Sequence, residues 1–161
     1  MIRLARHLDH AAIAAVVEAA FATPVEARLV ERLRADGDVL FELVSEDDGE
    51  ITGHILFSRL WADRYEMFAA LAPLAVRPDL QRGGLGSKLT LAGLDTLREF
   101  GAHGVLVLGH PAYYPRFGFS AETAARVKAP YSGSPSFMAL ALEDGAFDAP
   151  ISVAYPEAFA G

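Results

Sequence analysis

Between residues 65 and 109 the chain passes through an apolar run, a cluster of glycines, a helical stripe and a second apolar run. Few folds accept that order. The first run, YEMFAALAPLAVRP, leads into VRPDLQRGGLGSKL at 76–89, where three glycines fall within four residues. Behind them Leu85, Leu89, Ala92, Leu97 and Phe100 form one apolar stripe that closes at Gly101. GVLVLG at 104–109 is short, β-rich and apolar on both faces, as a buried parallel strand is. Strand, glycine-rich turn, helix and buried strand make a βαβ unit. Pro73 lies inside the first run and cannot donate to a ladder, so a break or bulge is expected around Ala72 to Leu74.

The flanks read more simply. Residues 9–21 have helical spacing, and Pro24 opens a second helix carrying Ala27, Leu29, Val30 and Leu33 that stops at Asp36-Gly37. VLFELVSE from 39 and ITGHILFSRL from 51 are joined by Asp48-Gly49, which predicts a hairpin. After the second apolar run come HPAYYPRFGF, a mixed stretch to about Val127 and the loop APYSGSPS. FMALAL and ISVAY are the last two strand candidates. The fold class is α/β, with a mixed sheet that is antiparallel at its start and end.

A chain of 161 residues that is 52% hydrophobic and 22% charged has the size and composition of one globular domain, taken here as residues 1–161. It has no cysteine, which excludes disulfides, thiolate nucleophiles and Cys-ligated zinc and suits a reducing compartment. Asp9, His10 and Glu18 interrupt the apolar N-terminal stretch MIRLARHLDHAAIAAVVEAAFA, so it reads as an amphipathic helix rather than a signal peptide. No run approaches bilayer-spanning length. The expected location is the cytoplasm. A net charge of −7 argues against nucleic acid as a partner. Arg77, Arg82 and Lys88 nevertheless outnumber Asp79 around the glycines, which favours a small anionic ligand.

Two familiar phosphate loops fail on residues. A dinucleotide fingerprint begun at Gly84 has Gly86 third but Leu89 sixth, and no acid ends the next strand. A Walker loop closes on Gly-Lys-Ser/Thr, whereas the order here is Gly86-Ser87-Lys88. What remains is Gln/Arg-x-x-Gly-x-Gly/Ala, met as Gln81-Arg82-Gly83-Gly84-Leu85-Gly86. With LAPLAVRPDLQ before it and YYPRFGF after it, this pattern resembles the GNAT acyl-CoA-dependent N-acetyltransferases over roughly residues 66–119. GHILFS and the terminal YPEAF resemble an uncharacterised bacterial branch of acetyltransferases.

The resemblance implies a mostly antiparallel central sheet flanked by helices, with a bulged fourth strand splayed from the fifth. It implies that acetyl-CoA is the acyl donor, with no metal. Its diphosphate would meet Gln81, Arg82, Gly83, Gly84, Leu85, Gly86, Ser87 and Lys88, and its pantetheine arm the freed backbone at Leu74, Ala75 and Val76. The physics agrees, because successive N–H groups at a helix N-terminus suit a diphosphate and side chains there would hold it away.

Transfer needs an amine to attack a thioester and a thiolate to leave. A thiol has a pKa of about 8.5, and a phenol of about 10 is able to protonate the departing sulfur. Relatives commonly use a tyrosine four residues before the glycine of the Gly-Phe pair; counting back from Gly118 gives Tyr114, with Tyr113 the substitute. An acceptor amine of pKa about 10.4 must also shed a proton. Relatives often place a glutamate on the fourth strand, but residues 71–76 hold no carboxylate, which leaves Glu66, His110 and His54 as candidates. The acceptor pocket is expected from residues 21–37 and 128–136, and the chain from a monomer or homodimer. Two rivals remain: a silent acyl-CoA sensor of the same fold, and an unrelated nucleotide-binding protein.

Overall fold

The computed structural model describes residues 1–160. Its main sheet has six strands in sequence order: β1 (Ile2–Leu4), β2 (Val39–Asp47), β3 (Glu50–Arg59), β4 (Phe68–Val76), β5 (Gly104–Leu108) and β6 (Phe137–Ala141). Every adjacent pair is antiparallel except β4 and β5, which run parallel and are joined by the long helix behind the glycines. β2 and β3 turn at Asp48 and Gly49, whose φ angles of 50° and 79° are those of a two-residue hairpin turn. A second, smaller sheet centres on β7 (Ile151–Ala154), flanked by Trp61–Ala62 and Val127–Lys128.

Three helices cover the main sheet. α1 (His10–Phe21) and α2 (Val25–Ala35) lie on one face, where Ile13, Val16, Val17 and Ala27 meet Val44 and Ala75. α3 (Leu85–Glu99) lies on the other, burying Leu89, Leu94 and Leu97. Its buried face differs from the expected stripe. Gly93 is pressed so close to Phe57 that an added Cβ would stand 2.4 Å from the ring. Phe100 is 46% exposed and meets Phe41 only edge-on. Gly37 and Gly101, both at positive φ, end α2 and α3 where the sequence placed them.

The N-terminus departs from the expected helix. Residues 2–4 form an edge strand before a short turn at His7–Asp9 leads into α1. Arg3 holds that strand, bonding Asp9 through both terminal nitrogens (2.8 and 3.0 Å) and Glu46 through Nε (3.1 Å). Asp9, on which the apolar run appeared to break, is therefore the clasp between strand and helix. Among the described residues no helix is long and apolar enough to cross a membrane.

The feature that matters for function lies within β4. Its partner register on β3 slips by one residue, from Phe57 opposite Leu71 to Ile55 opposite Leu74. That bulge holds Ala72 and Pro73, whose peptide bond is cis. Parallel pairing with β5 starts at Phe68 opposite Gly104 and ends at Leu71 opposite Val107. Beyond that point the two strands separate.

Candidate functional site

The opening between β4 and β5 is a cleft of about 620 Å³. Its floor is Leu71 to Leu74 and Val76, one wall is the glycine loop and the first turn of α3, and another is the segment after β5. Phe21, Glu26 and Leu29, from the corner between α1 and α2, complete it.

Backbone alternation decides what β4 presents there. The Arg77 N–H donates to the Thr52 carbonyl on the β3 side at 2.9 Å. Main-chain groups reverse direction at each residue of a strand, so those of Leu74 and Val76 face away from β3, into the cleft. One of these is already taken: the Gln81 side-chain amide donates to the Val76 carbonyl at 2.9 Å. Gln81 thus braces the loop against the strand, and the N–H groups of Leu74 and Val76 and the Leu74 carbonyl form the open edge. Ala75, expected at this edge, turns its buried side chain to the α1 face instead.

The loop itself curls through positive φ at Arg82 (70°) and Gly84 (88°). Gly84 begins α3 without any side-chain cap, so the first helical N–H groups have no intrahelical partner. Together they make a concave row of donors at the positive end of a helix dipole. An added Cβ at Gly84 would meet nothing within 4 Å, but the backbone angle itself disfavours any side chain. At Gly86 the constraint is contact, since a Cβ would stand 3.1 Å from the Tyr113 hydroxyl.

Of the residues expected to hold the donor, Leu74, Val76, Gln81, Arg82, Gly84, Leu85, Gly86 and Ser87 line the cleft; Ala75, Gly83 and Lys88 do not. Lys88 projects from the exposed side of α3, and Arg77 is engaged by Asp79 (2.7 and 3.0 Å) and Glu50 (3.1 Å). The local positive charge comes instead from Arg82 and from Arg116, which sequence reasoning missed. Arg116 lies over the Tyr113 ring, 4.3 Å from its centre, and donates to the Tyr113 carbonyl at 2.8 Å.

The two tyrosines share the segment after β5 but occupy different places. The Tyr113 hydroxyl lies 3.2 Å from Ser87 Oγ, at the first turn of α3. Tyr114 is 8% exposed and packs edge-on against Tyr113 and Phe119. Its ring occupies the space that a side chain at residue 109 would need, since a Cβ on Gly109 would stand 2.5 Å from it. Burial pushes the Tyr114 phenol well above its ordinary pKa.

The candidate bases are scattered. His110 lines the cleft with an exposed side chain, and its carbonyl accepts from the N–H groups of Tyr113 and Tyr114. Glu66 stands in an exposed bend before β4, at the end of the strand away from the bulge, and does not reach the cleft. His54 is fully buried beneath α1 and α2, with Nε2 2.8 Å from Glu42 Oε1, and does not reach it either. The carboxylate that does line the cleft is Glu26 in the first turn of α2, 3.3 Å from the Thr23 hydroxyl. In the sequence Glu26 reads only as the acid of a Thr23-x-x-Glu26 helix start, a pattern that points to capping rather than to a ligand.

The acetyltransferase (GNAT) family profile matches residues 9–119. Over 138 residues the chain is 36% identical to the uncharacterized N-acetyltransferase YhbS of Escherichia coli (strain K12), spanning 84% of this chain and 83% of that protein. It is 40% identical over 117 residues to the uncharacterized N-acetyltransferase YjhQ of the same strain, spanning 69% of this chain and 64% of the relative. Among solved structures, the crystal structure of E. coli YhbS in complex with CoA matches all of this chain and 92% of its own, with a TM-score of 0.92 and 34% identity. A GNAT family acetyltransferase from Brucella melitensis in complex with acetyl-CoA matches 99% of this chain and 97% of its own, with a TM-score of 0.79 and 34% identity.

Proposed function

Since this chain belongs to the acetyltransferase (GNAT) family, we propose that its cleft takes acetyl-CoA and passes the acetyl group to a primary amine, with Tyr114 serving the leaving sulfur. The observation that carries this reading is the meeting of two unsatisfied main-chain surfaces in one cleft. These are the open β4 edge at Leu74 and Val76 and the uncapped N-terminus of α3. An amide-containing arm matches the first and a diphosphate matches the second. Arg82, Arg116 and the Ser87 hydroxyl add charge and a further donor to the phosphate end.

In the reaction the amine, once deprotonated, attacks the thioester carbonyl carbon. The carbon–sulfur bond then breaks, and the sulfur leaves as a thiolate that ends as the thiol, one proton per turnover passing to solvent. The Tyr114 phenol, kept protonated by burial, donates to that sulfur as charge develops on it. His110, an exposed imidazole lining the cleft, is the group best placed to hand the amine proton to water. We read residues 1–161 as one cytoplasmic domain acting as a monomer or homodimer.

The test is calorimetric binding of acetyl-CoA together with thiol release over a panel of primary amines, for the parent and Gly84→Val. A valine at Gly84 must adopt a backbone angle it disfavours, which would distort the row of donors at the start of α3. Its affinity for acetyl-CoA should fall at least tenfold with the fold intact by circular dichroism. Unchanged affinity would move the diphosphate elsewhere. Tight binding without thiol release on any amine would leave the chain as an acyl-CoA sensor.

A further inference from the structure

We propose that Glu26 selects the acceptor, and that the acceptor is a cationic amine whose carbon skeleton next to the nitrogen is apolar or aromatic. The proposal rests on the acetyltransferase reading above and deepens it. Charge is divided across the cleft: Arg82 and Arg116 stand at the loop end, and Glu26 is the one carboxylate among its lining residues. The two cations and the α3 dipole already serve an anionic donor, so a carboxylate in the same cleft works against that donor. It favours a positively charged second substrate and disfavours an anionic one.

The neighbours of Glu26 give the second half of the proposal. Phe21, at the end of α1, is 38% exposed, and Leu29 lies one turn along α2. An aromatic ring and an aliphatic side chain beside a single carboxylate make an amphipathic seat, in which an ammonium meets Glu26 and the adjoining carbons cover Phe21 and Leu29. No other element of the cleft presents that combination.

Glu26 also has a structural use, since an acid in the first turn of a helix is favoured by the dipole and Thr23 stands close to it. The experiment must therefore separate seating from stability. Binding of 2-phenylethylamine and of 2-phenylethanol to the chain saturated with CoA would be measured by calorimetry, for the parent, Glu26→Gln and Glu26→Asp. The parent should prefer the amine over the alcohol by about tenfold, the usual worth of a charge-assisted hydrogen bond. Glu26→Gln should abolish that preference without weakening CoA binding, and Glu26→Asp should keep part of it.

A parent that does not discriminate amine from alcohol would overturn the proposal without any variant. So would a Glu26→Gln chain that keeps the preference, or one that only melts earlier. Failure of the acetyltransferase reading looks different: the amine would bind through Glu26 with no acetyl transfer to it or to any other amine.

Discussion

Tyr113 and Tyr114 are adjacent in the chain, yet their surroundings give them different chemistry. The Tyr113 hydroxyl is committed to Ser87 and the Tyr113 ring carries Arg116, so it belongs to the glycine loop. Tyr114 is seated by Gly109 and two aromatic neighbours, with a phenol that burial keeps protonated. A phenol raised above its ordinary value is a weaker acid than the thiol, so in the proposed reaction it would assist the sulfur chiefly by hydrogen bonding. Tyr114→Phe should lower kcat about a hundredfold with little change in acetyl-CoA affinity or melting temperature. Because the phenol ionises only above its raised pKa, the parent should lose no turnover to it below about pH 10. Stopped-flow thiol release across pH 7–10 checks both, and a variant as fast as the parent would transfer the role to water or Tyr113. Tyr114 was legible in the sequence only through its distance from Gly118. Gly109, Arg116 and Glu26 were not, because each acts through the space around it rather than through a repeat. Counting charges along the chain also misled, since Lys88 faces outward and Arg77 is already paired.

Elements with strong periodicity emerged from the sequence nearly intact: α1, α2, the β2–β3 hairpin, α3 and β5. The three residues of β1 and the two-residue ribbons of the small sheet did not, being too short to carry a period of two. The break in β4 was legible because Pro73 contradicts its apolar surroundings. His54 was misleading for the opposite reason: its place on β3 suggested chemistry, and packing gave it a structural post. It meets Glu42, which Arg34 of α2 also grips through two 2.8 Å bonds. Burial raises the Glu42 carboxyl, but the bonds from Arg34 and His54 outweigh it and hold the pKa at about 2. Burial depresses the His54 imidazole, with the Glu42 hydrogen bond opposing it. His10 on α1, also lowered by burial and by the Arg34 charge, faces the same cluster. A histidine depressed in the folded state stabilises above its unfolded pKa of about 6.5 and loses that contribution as pH falls. Glu42 has the same sign but acts below about 4.5, outside that window. The urea midpoint should therefore drop between pH 7 and pH 5, and His54→Gln should flatten that drop in part, His10 supplying the rest. Identical slopes for the parent and His54→Gln would remove His54 from the account.

At the scale of the whole molecule the sheet is two half-sheets, β1–β4 and β5–β6, joined by four residue pairs between Phe68–Leu71 and Gly104–Val107. A donor lying along the open edge would continue that seam. Saturation at a hundred times the dissociation constant adds about 2.7 kcal/mol to folding stability. For a domain of this size that corresponds to a rise in melting temperature of about 5–10 °C. Hydrogen exchange should slow at the Leu74 and Val76 amides in particular. A thermal shift without protection there would place the arm on another surface. The open edge also bears on how such a chain diverges. Its main-chain donors are indifferent to side-chain identity, so the proposed seat for the donor would persist through many substitutions of the strand. The corner of Phe21, Glu26 and Leu29 offers side chains alone, and one codon there changes what is recognised. Descendants of this chain are thus free to exchange one acceptor for another while inheriting the same donor.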